Sequence, residues 1–284
     1  MAQSILLSFD AEEFDIPGEF GHAIPASEQL RIGAEGWGRV LDLLDDLNRT
    51  PTAAQPCAAP IRATFFTTAA IAEFAPELAR RTLTAGHELA SHGVRHTGFA
   101  PGDEARSKQL LEAAAPGASI TGFRMPRMAP VDIGALARAG YRYNASENPI
   151  WLPGRYNKFF VSRRWSVATT TGGSLIRVPA AATPLIRWPL FWLSFKNAPL
   201  WWTKRMTAWC LRADGYAALY FHPWEFCDLA GPGGFGLPRH VRRLDGAALT
   251  ARLRQYLEWL RARGATFETY ARFAGRVAPQ DAGA

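Results

Sequence analysis

The chain has 284 residues, of which 48% are hydrophobic, 12% aromatic and 20% charged, a balance that excludes a disordered chain, a collagen and a coiled coil. Three widely spaced cysteines (Cys57, Cys210, Cys227), odd in number and without a CxxC pair, argue against a disulfide framework and a cysteine zinc ribbon. An excess of 32 Lys and Arg over 25 Asp and Glu gives a net charge of +7, which suits an anionic partner such as a phosphate-bearing substrate or a membrane surface.

Ile5 to Phe9 is a short apolar run that stops at Asp10, the pattern of a buried first strand. The opening residues carry no basic region and no apolar stretch of signal-peptide length, so the expected location is the cytoplasm, at most at the inner face of the membrane. Residues 15–34, with Pro17, Gly18, Gly21, Pro25 and Gly33, read as a long loop, followed by a helix carrying Val40, Leu41, Leu43, Leu44 and Leu47. Residues 51–62 read as a surface insertion and 276–284 as a disordered tail of one domain spanning 1–284. Between them, strands are expected at Ala63–Phe66, His87–Ser91, Ile120–Arg124, Tyr141–Ala145, Leu175–Val178 and Ala217–Phe221. Helices are expected over 69–84, 104–115, 132–139 and 244–263, with Gly86, Gly140 and Gly264 as their stops. Strands alternating with helices imply a parallel sheet, open or closed into a barrel.

Four segments gather chemistry at or near strand ends: Ser8-Phe9-Asp10-Ala11-Glu12, Ser91-His92-Gly93-Val94-Arg95-His96, Gly122-Phe123-Arg124-Met125-Pro126 and Phe221-His222-Pro223-Trp224-Glu225. In a parallel α/β sheet or barrel the carboxyl ends of the strands share one rim, where sites are built. His92 and His96 are four apart, and one helical turn would put both imidazoles on one face, ready for a single metal ion. Asp10 and Glu12 project from the same side of an extended strand, so one can ligate while the other stays free as a base.

These segments resemble the polysaccharide deacetylase family (NodB homology, carbohydrate esterase family four). They match its order of motifs: a strand ending in acids, His-Ser/Thr-x-x-His, an Arg-x-Pro segment and a late histidine, across about residues 4–270. Gly93 stands where the family has Ser or Thr, and Asp10-Ala11-Glu12 resembles the Asp-x-Glu variant of the first motif. The resemblance implies a distorted (β/α)7-type barrel and a metal-dependent removal of an N-acetyl or N-formyl group from an amino sugar in a glycan, lipid-linked sugar or sugar precursor. It implies Glu12, His92 and His96 as metal ligands, and Asp10 as base with Arg124 beside it. It implies His222 as the acid that protonates the departing amine, with Trp224, Pro126 and Tyr143 as substrate contacts. One divalent ion is expected, zinc first, although cobalt, nickel or iron fit the same donors. Glu225 and Glu147 both stand open as the group that orients His222.

Competing readings are an allantoinase-like hydrolase of a small amide and a catalytically silent carbohydrate-binding relative. The aromatic segment 184–209, rich in Trp and flanked by Arg187, Lys204 and Arg205, admits three roles: core, sugar stacking, or peripheral contact with an anionic membrane. The scattered arginines form no long basic run, and no nucleic-acid partner is expected.

Overall fold

The computed structural model describes residues 3–49, 59–152, 156–229 and 234–278. Its strands are β1 (Ser4–Ala11), β2 (Ala63–Thr67), β3 (Glu88–Ser91), β4 (Gly122–Phe123), β5 (Tyr143–Asn144), β6 (Trp151–Leu152), β7 (Tyr156–Asn157), β8 (Ser166–Thr170), β9 (Gly173–Arg177), β10 (Tyr216–Phe221) and β11 (Thr266–Phe267). The helices are α1 (Ala26–Arg49), α2 (Ala69–Phe74), α3 (Pro76–Thr84), α4 (Asp103–Ala114), α5 (Ile133–Arg138), α6 (Trp192–Asn197), α7 (Leu200–Asp214), α8 (Gly246–Ala262) and α9 (Tyr270–Val277).

The main sheet runs β10-β1-β2-β3-β4-β5-β9-β8, with β11 against the start of β1. Every pairing is parallel except that of β8 with β9. The chain after β9 returns the sheet to its first edge: Ala180 N–H donates to Glu147 O, Ala181 N–H donates to Ala218 O, and Phe191 bridges Tyr220. The sheet thereby curls into a distorted (β/α)7-type barrel.

Alternation along β1 divides the core in two. Ile5, Leu7 and Phe9 face the helices, whereas Leu6 joins Phe66, Ala90, Tyr143, Ile176 and Ala218 in the barrel interior. Tyr270 and Phe273 of α9 close that interior from one end. The same alternation turns Ser8 and Asp10 inward and up toward the rim at the strand's carboxyl end.

Three sequence expectations change. The helix expected over 69–84 breaks at Ala75, because Pro76 lacks an N–H and its ring forces the preceding residue out of the helical region (φ −132°, ψ 62°). The expected loop over 15–34 ends at residue 25, since α1 starts at Ala26 and carries Gly33 and Gly36 inside it. Those glycines allow a close approach: a Cβ on Gly33 would lie 2.3 Å from Glu12 O, and one on Gly36 would lie 2.1 Å from Pro223 O. The expected tail at 276–284 begins too early, because Arg276 and Val277 belong to α9; residues 279–284 lie outside the described residues. Of the expected insertion, 51–58 also lie outside them, whereas Ile61 is buried, its N–H bonded to Asn48.

Candidate active site

Arg124 follows β4 directly, is 1% exposed and lies under the rim as a hub. Its Nη1 donates to Asp10 Oδ1 at 2.5 Å and to Ser8 Oγ at 3.0 Å, Nη2 donates to the Tyr270 hydroxyl at 3.1 Å, and Nε donates to Ala145 O at 3.3 Å. The guanidinium carbon sits 3.9 Å from the centre of the Phe66 ring. A cation this buried requires its carboxylate partner. The pair fixes Asp10 in position at the mouth of the barrel.

Beside this pair, three ligand atoms converge. Glu12 Oε2 lies 3.0 Å from His92 Nε2 and 3.3 Å from His96 Nε2. Both imidazoles are held from behind: His92 Nδ1–H donates to Arg124 O at 2.8 Å, and His96 Nδ1–H donates to Asp15 Oδ1 at 2.7 Å. A carbonyl can only accept, so its partner Nδ1 carries the proton and Nε2 is the ring nitrogen turned toward Glu12. A tetrahedral ion with bonds of about 2.0–2.1 Å has ligand edges of about 3.3 Å, close to the spacing found here. Two nitrogen donors and an anionic oxygen at that spacing, inside the rim, fit a divalent cation. Burial opposes ionisation of Glu12, but His96, His222 and His92 outweigh it and hold its carboxyl below the usual range. Burial likewise opposes charge on His96, yet Glu12 and Asp15 push it up to about 9.

The histidines do not lie on a helix, as their spacing suggested. His92 continues from β3, and a loop brings His96 alongside it with their rings 5.9 Å apart. Gly93 turns that loop at φ +84°, a conformation that Ser or Thr would resist. The first N–H groups of α2 hold it: Ala69 donates to Gly93 O and Ala70 donates to Val94 O.

His222, at the end of β10, faces Glu12 Oε1 across 3.9 Å. Its backbone N–H donates to Glu225 Oε1 at 2.8 Å, and its Nδ1 lies 3.2 Å from the same oxygen. Glu225 is therefore the orienting group; Glu147 instead pairs with Arg177. The other Glu225 oxygen lies 3.3 Å from Lys196 Nζ, and neither side chain has any exposed surface. Lys196 also donates to Val241 O at 2.6 Å. Trp224 stacks on the His222 ring at 5.0 Å and donates from Nε1 to Glu12 Oε1 at 3.2 Å, while Trp192 meets the same imidazole edge-on at 5.1 Å. Burial opposes charge on His222, but Glu12, Glu225 and Asp10 raise its pKa above the ordinary value.

The structure thus brings Asp10, Glu12, His92, His96, Arg124 and His222 together. It moves the expected substrate contacts. Tyr143 is inside the barrel, with its hydroxyl donating to Glu88 Oε1 at 2.8 Å and its ring stacked on Tyr270, because its strand position points inward below the rim. Pro126 and Trp224 are buried, so both support the site from behind. Within 184–209, Trp192 and Phe195 are buried, while Leu185, Ile186 and Trp201 are exposed. Among the described residues no helix is long and apolar enough to cross a membrane. Asp15, Trp192 and Lys196 escaped the sequence reading. Their signals were slight: an acid three residues past Glu12, and a lysine inside an aromatic run.

Similar structures support the barrel. A candidate polysaccharide deacetylase from Mycobacterium smegmatis superposes with a TM-score of 0.63 at 19% identity, covering 98% of this chain and 91% of that one. A counterpart from Pseudomonas aeruginosa PAO1 gives 0.61 at 15%, covering 98% and 92%. The PuuE allantoinase gives 0.61 at 15%, covering 98% and 91%. No curated protein matches the chain. The sequence model of the polysaccharide deacetylase family matches residues 58–142, the stretch that holds β2, β3, the histidine pair and Arg124. Over that stretch the chain is similar to the polysaccharide deacetylase family.

Proposed function

We propose that the protein is a metal-dependent hydrolase that removes an N-acetyl or N-formyl group from an amino sugar. The match of residues 58–142 to the polysaccharide deacetylase family supports deacetylation of a carbohydrate. The observation that carries the finer reading is the convergence of Glu12, His92 and His96 within 4.8 Å, beside the Asp10–Arg124 pair and opposite His222. Glu12, His92 and His96 would hold the cation, which when bound acidifies water and polarises an acyl oxygen.

The chain's own groups supply the proton transfers. Asp10, oriented by Arg124, accepts the proton of the attacking water as the water oxygen bonds to the amide carbon. His222 gives the proton on Nε2 to the amine nitrogen as the C–N bond breaks, because an amine leaves poorly as an anion. Glu225 holds the imidazole through Nδ1. Trp192 and Trp224 shield the acid from bulk water.

The test couples elemental analysis of the purified protein to acetate release from N-acetylated oligosaccharides and sugar nucleotides. The expected result is one divalent ion per chain and a turnover that Asp10→Asn lowers by about 10²–10⁴-fold. Hydrolysis of allantoin without acetate release would move the activity to a small cyclic amide, a reading that the likeness in fold to PuuE allantoinase keeps in view. A metal-free protein with no turnover would leave a silent carbohydrate-binding relative.

A further inference from the structure

Near the far end of α6 from His222, Asn197, Arg239, His240, Arg242 and Arg243 line an open cavity of about 590 Å3. We infer that this cavity binds a phosphate or diphosphate group carried by the substrate. The inference rests on the deacetylase reading and narrows its substrate to anionic, phosphate-bearing amino sugars.

Charge is the first argument. Three guanidiniums gather at one cavity, and among the described residues none of them forms an ion pair with a carboxylate. Several arginines elsewhere are paired with carboxylates: Arg163 and Arg164 share Asp214, Arg81 bridges Asp42 and Asp45, and Arg254 meets Asp46. Mutually repelling cations held close together are stabilised by an anion, and a guanidinium matches two phosphate oxygens at once.

Rigidity is the second. The segment bearing the arginines is pinned and does not float over the surface. Val241 is 3% exposed, and its carbonyl accepts from the buried Lys196 at 2.6 Å. His240 O accepts from Asn197 Nδ2 at 2.8 Å. Arg242 lies against Gly234, where an added Cβ would come within 2.6 Å of Nη1.

Placement is the third. Lys196, which holds the arginine segment, also contacts Glu225, the carboxylate that orients His222. Trp192 at the start of α6 touches His222, and Asn197 at its end lines the cavity. Five residues of helix at about 1.5 Å each put the two roughly 8 Å apart. On this proposal the sugar's amine leaves toward His222 and its phosphate tail extends toward the arginines.

The experiment compares four substrates: a neutral N-acetylated chito-oligomer, N-acetylglucosamine 1-phosphate, a uridine diphosphate N-acetyl sugar and a short polyprenyl diphosphate N-acetyl sugar in detergent. The wild-type protein is expected to favour the phosphate-bearing substrates over the neutral one by tenfold or more in kcat/KM. The best of the three identifies the source of the phosphate. R239Q/R242Q/R243Q should erase that preference through KM, whereas R80Q/R106Q/R205Q, which removes the same charge at exposed sites elsewhere, should keep it. A neutral substrate turned over equally well, or a preference that survives the cavity variant, overturns the inference. Calorimetry with inorganic pyrophosphate separates the two readings. Binding that the cavity variant loses, without hydrolysis of any substrate, supports the cavity and sinks the deacetylase. Hydrolysis without binding does the reverse.

Discussion

Glu225 holds His222 twice: one oxygen accepts the backbone N–H at 2.8 Å and lies 3.2 Å from Nδ1 of the ring. Lys196, fully buried, sits 3.3 Å from the other oxygen. A buried carboxylate without this ammonium would be costly to keep ionised. The lysine thus fixes the group that holds His222, and if His222 is the proposed acid, loss of the lysine should affect chemistry in a way that depends on the leaving group.

Lys196→Met should lower turnover of an N-acetyl amide by about 10²-fold, in the range lost when a general acid is mispositioned. An activated aryl acetate, whose leaving group needs no proton, should lose only a few-fold. A structural defect would depress both alike, so equal losses on amide and ester would refute the positioning role. Because Glu225 would be left buried and unpaired, Lys196→Met/Glu225→Gln serves as the better-folded companion and should show the same split.

Asp15 accepts from His96 Nδ1 at 2.7 Å and lies 3.5 Å from Arg127 Nη2. It touches no other ligand of the proposed ion, yet it sets the His96 ring and leaves Nε2 turned toward Glu12. Loss of such an outer partner costs about 10–100-fold in metal affinity. Asp15→Ala should therefore release metal to a competing chelator at correspondingly lower chelator concentration, with the fold retained by circular dichroism. Affinity unchanged within experimental error would remove Asp15 from the site.

The barrel was legible because buried parallel strands read as apolar runs and alternate with helices whose stops are glycines. Asp10, Glu12, the histidine pair, Arg124 and His222 were legible because each lies at or just past a strand end in a short polar cluster. Lys196 was not. Its role depends on α6 bringing a lysine from an aromatic run against Glu225, a contact across 29 positions that no local pattern announces. Tyr143 failed in the opposite way: its neighbours in sequence belong to the rim, but strand alternation turns its ring into the barrel, onto Tyr270 and Glu88.

His87 gives the fold an acid-sensitive point. Burial, aided by the Arg62 charge, pulls its pKa from 6.5 down to about 4, and its Nδ1 accepts the Ala63 N–H at 3.2 Å. The folded state therefore keeps the ring neutral, while the unfolded chain binds a proton below pH 6.5. Stability from this group is complete above pH 6.5 and is lost as pH falls toward 4, in total on the order of 3 kcal/mol. His87→Asn, which can offer Oδ1 to the same N–H, should flatten the difference in unfolding free energy between pH 6.5 and 4. A variant as acid-sensitive as the wild type in urea titrations would assign the effect elsewhere.

Two glycines of α1, two residues apart, should respond with opposite sign to the same substitution. Gly38 has only Leu78 Cδ2 near a built Cβ, at 3.9 Å, so alanine there gains helix propensity of about 1 kcal/mol without a clash. At Gly36 the added Cβ would meet Pro223 O at 2.1 Å and Trp224 N at 2.7 Å, both backbone atoms of the segment that carries His222. Overpacking of this kind costs about 1–3 kcal/mol, enough to offset the propensity gain. The strain also pushes directly on the residue next to the acid, and a displacement of about 1 Å can cost 10²-fold in rate. Gly36→Ala should thus lower both the melting temperature and kcat, whereas Gly38→Ala should raise the first and leave the second. If Gly36→Ala melts higher and turns over normally, α1 does not bear on the segment that carries His222.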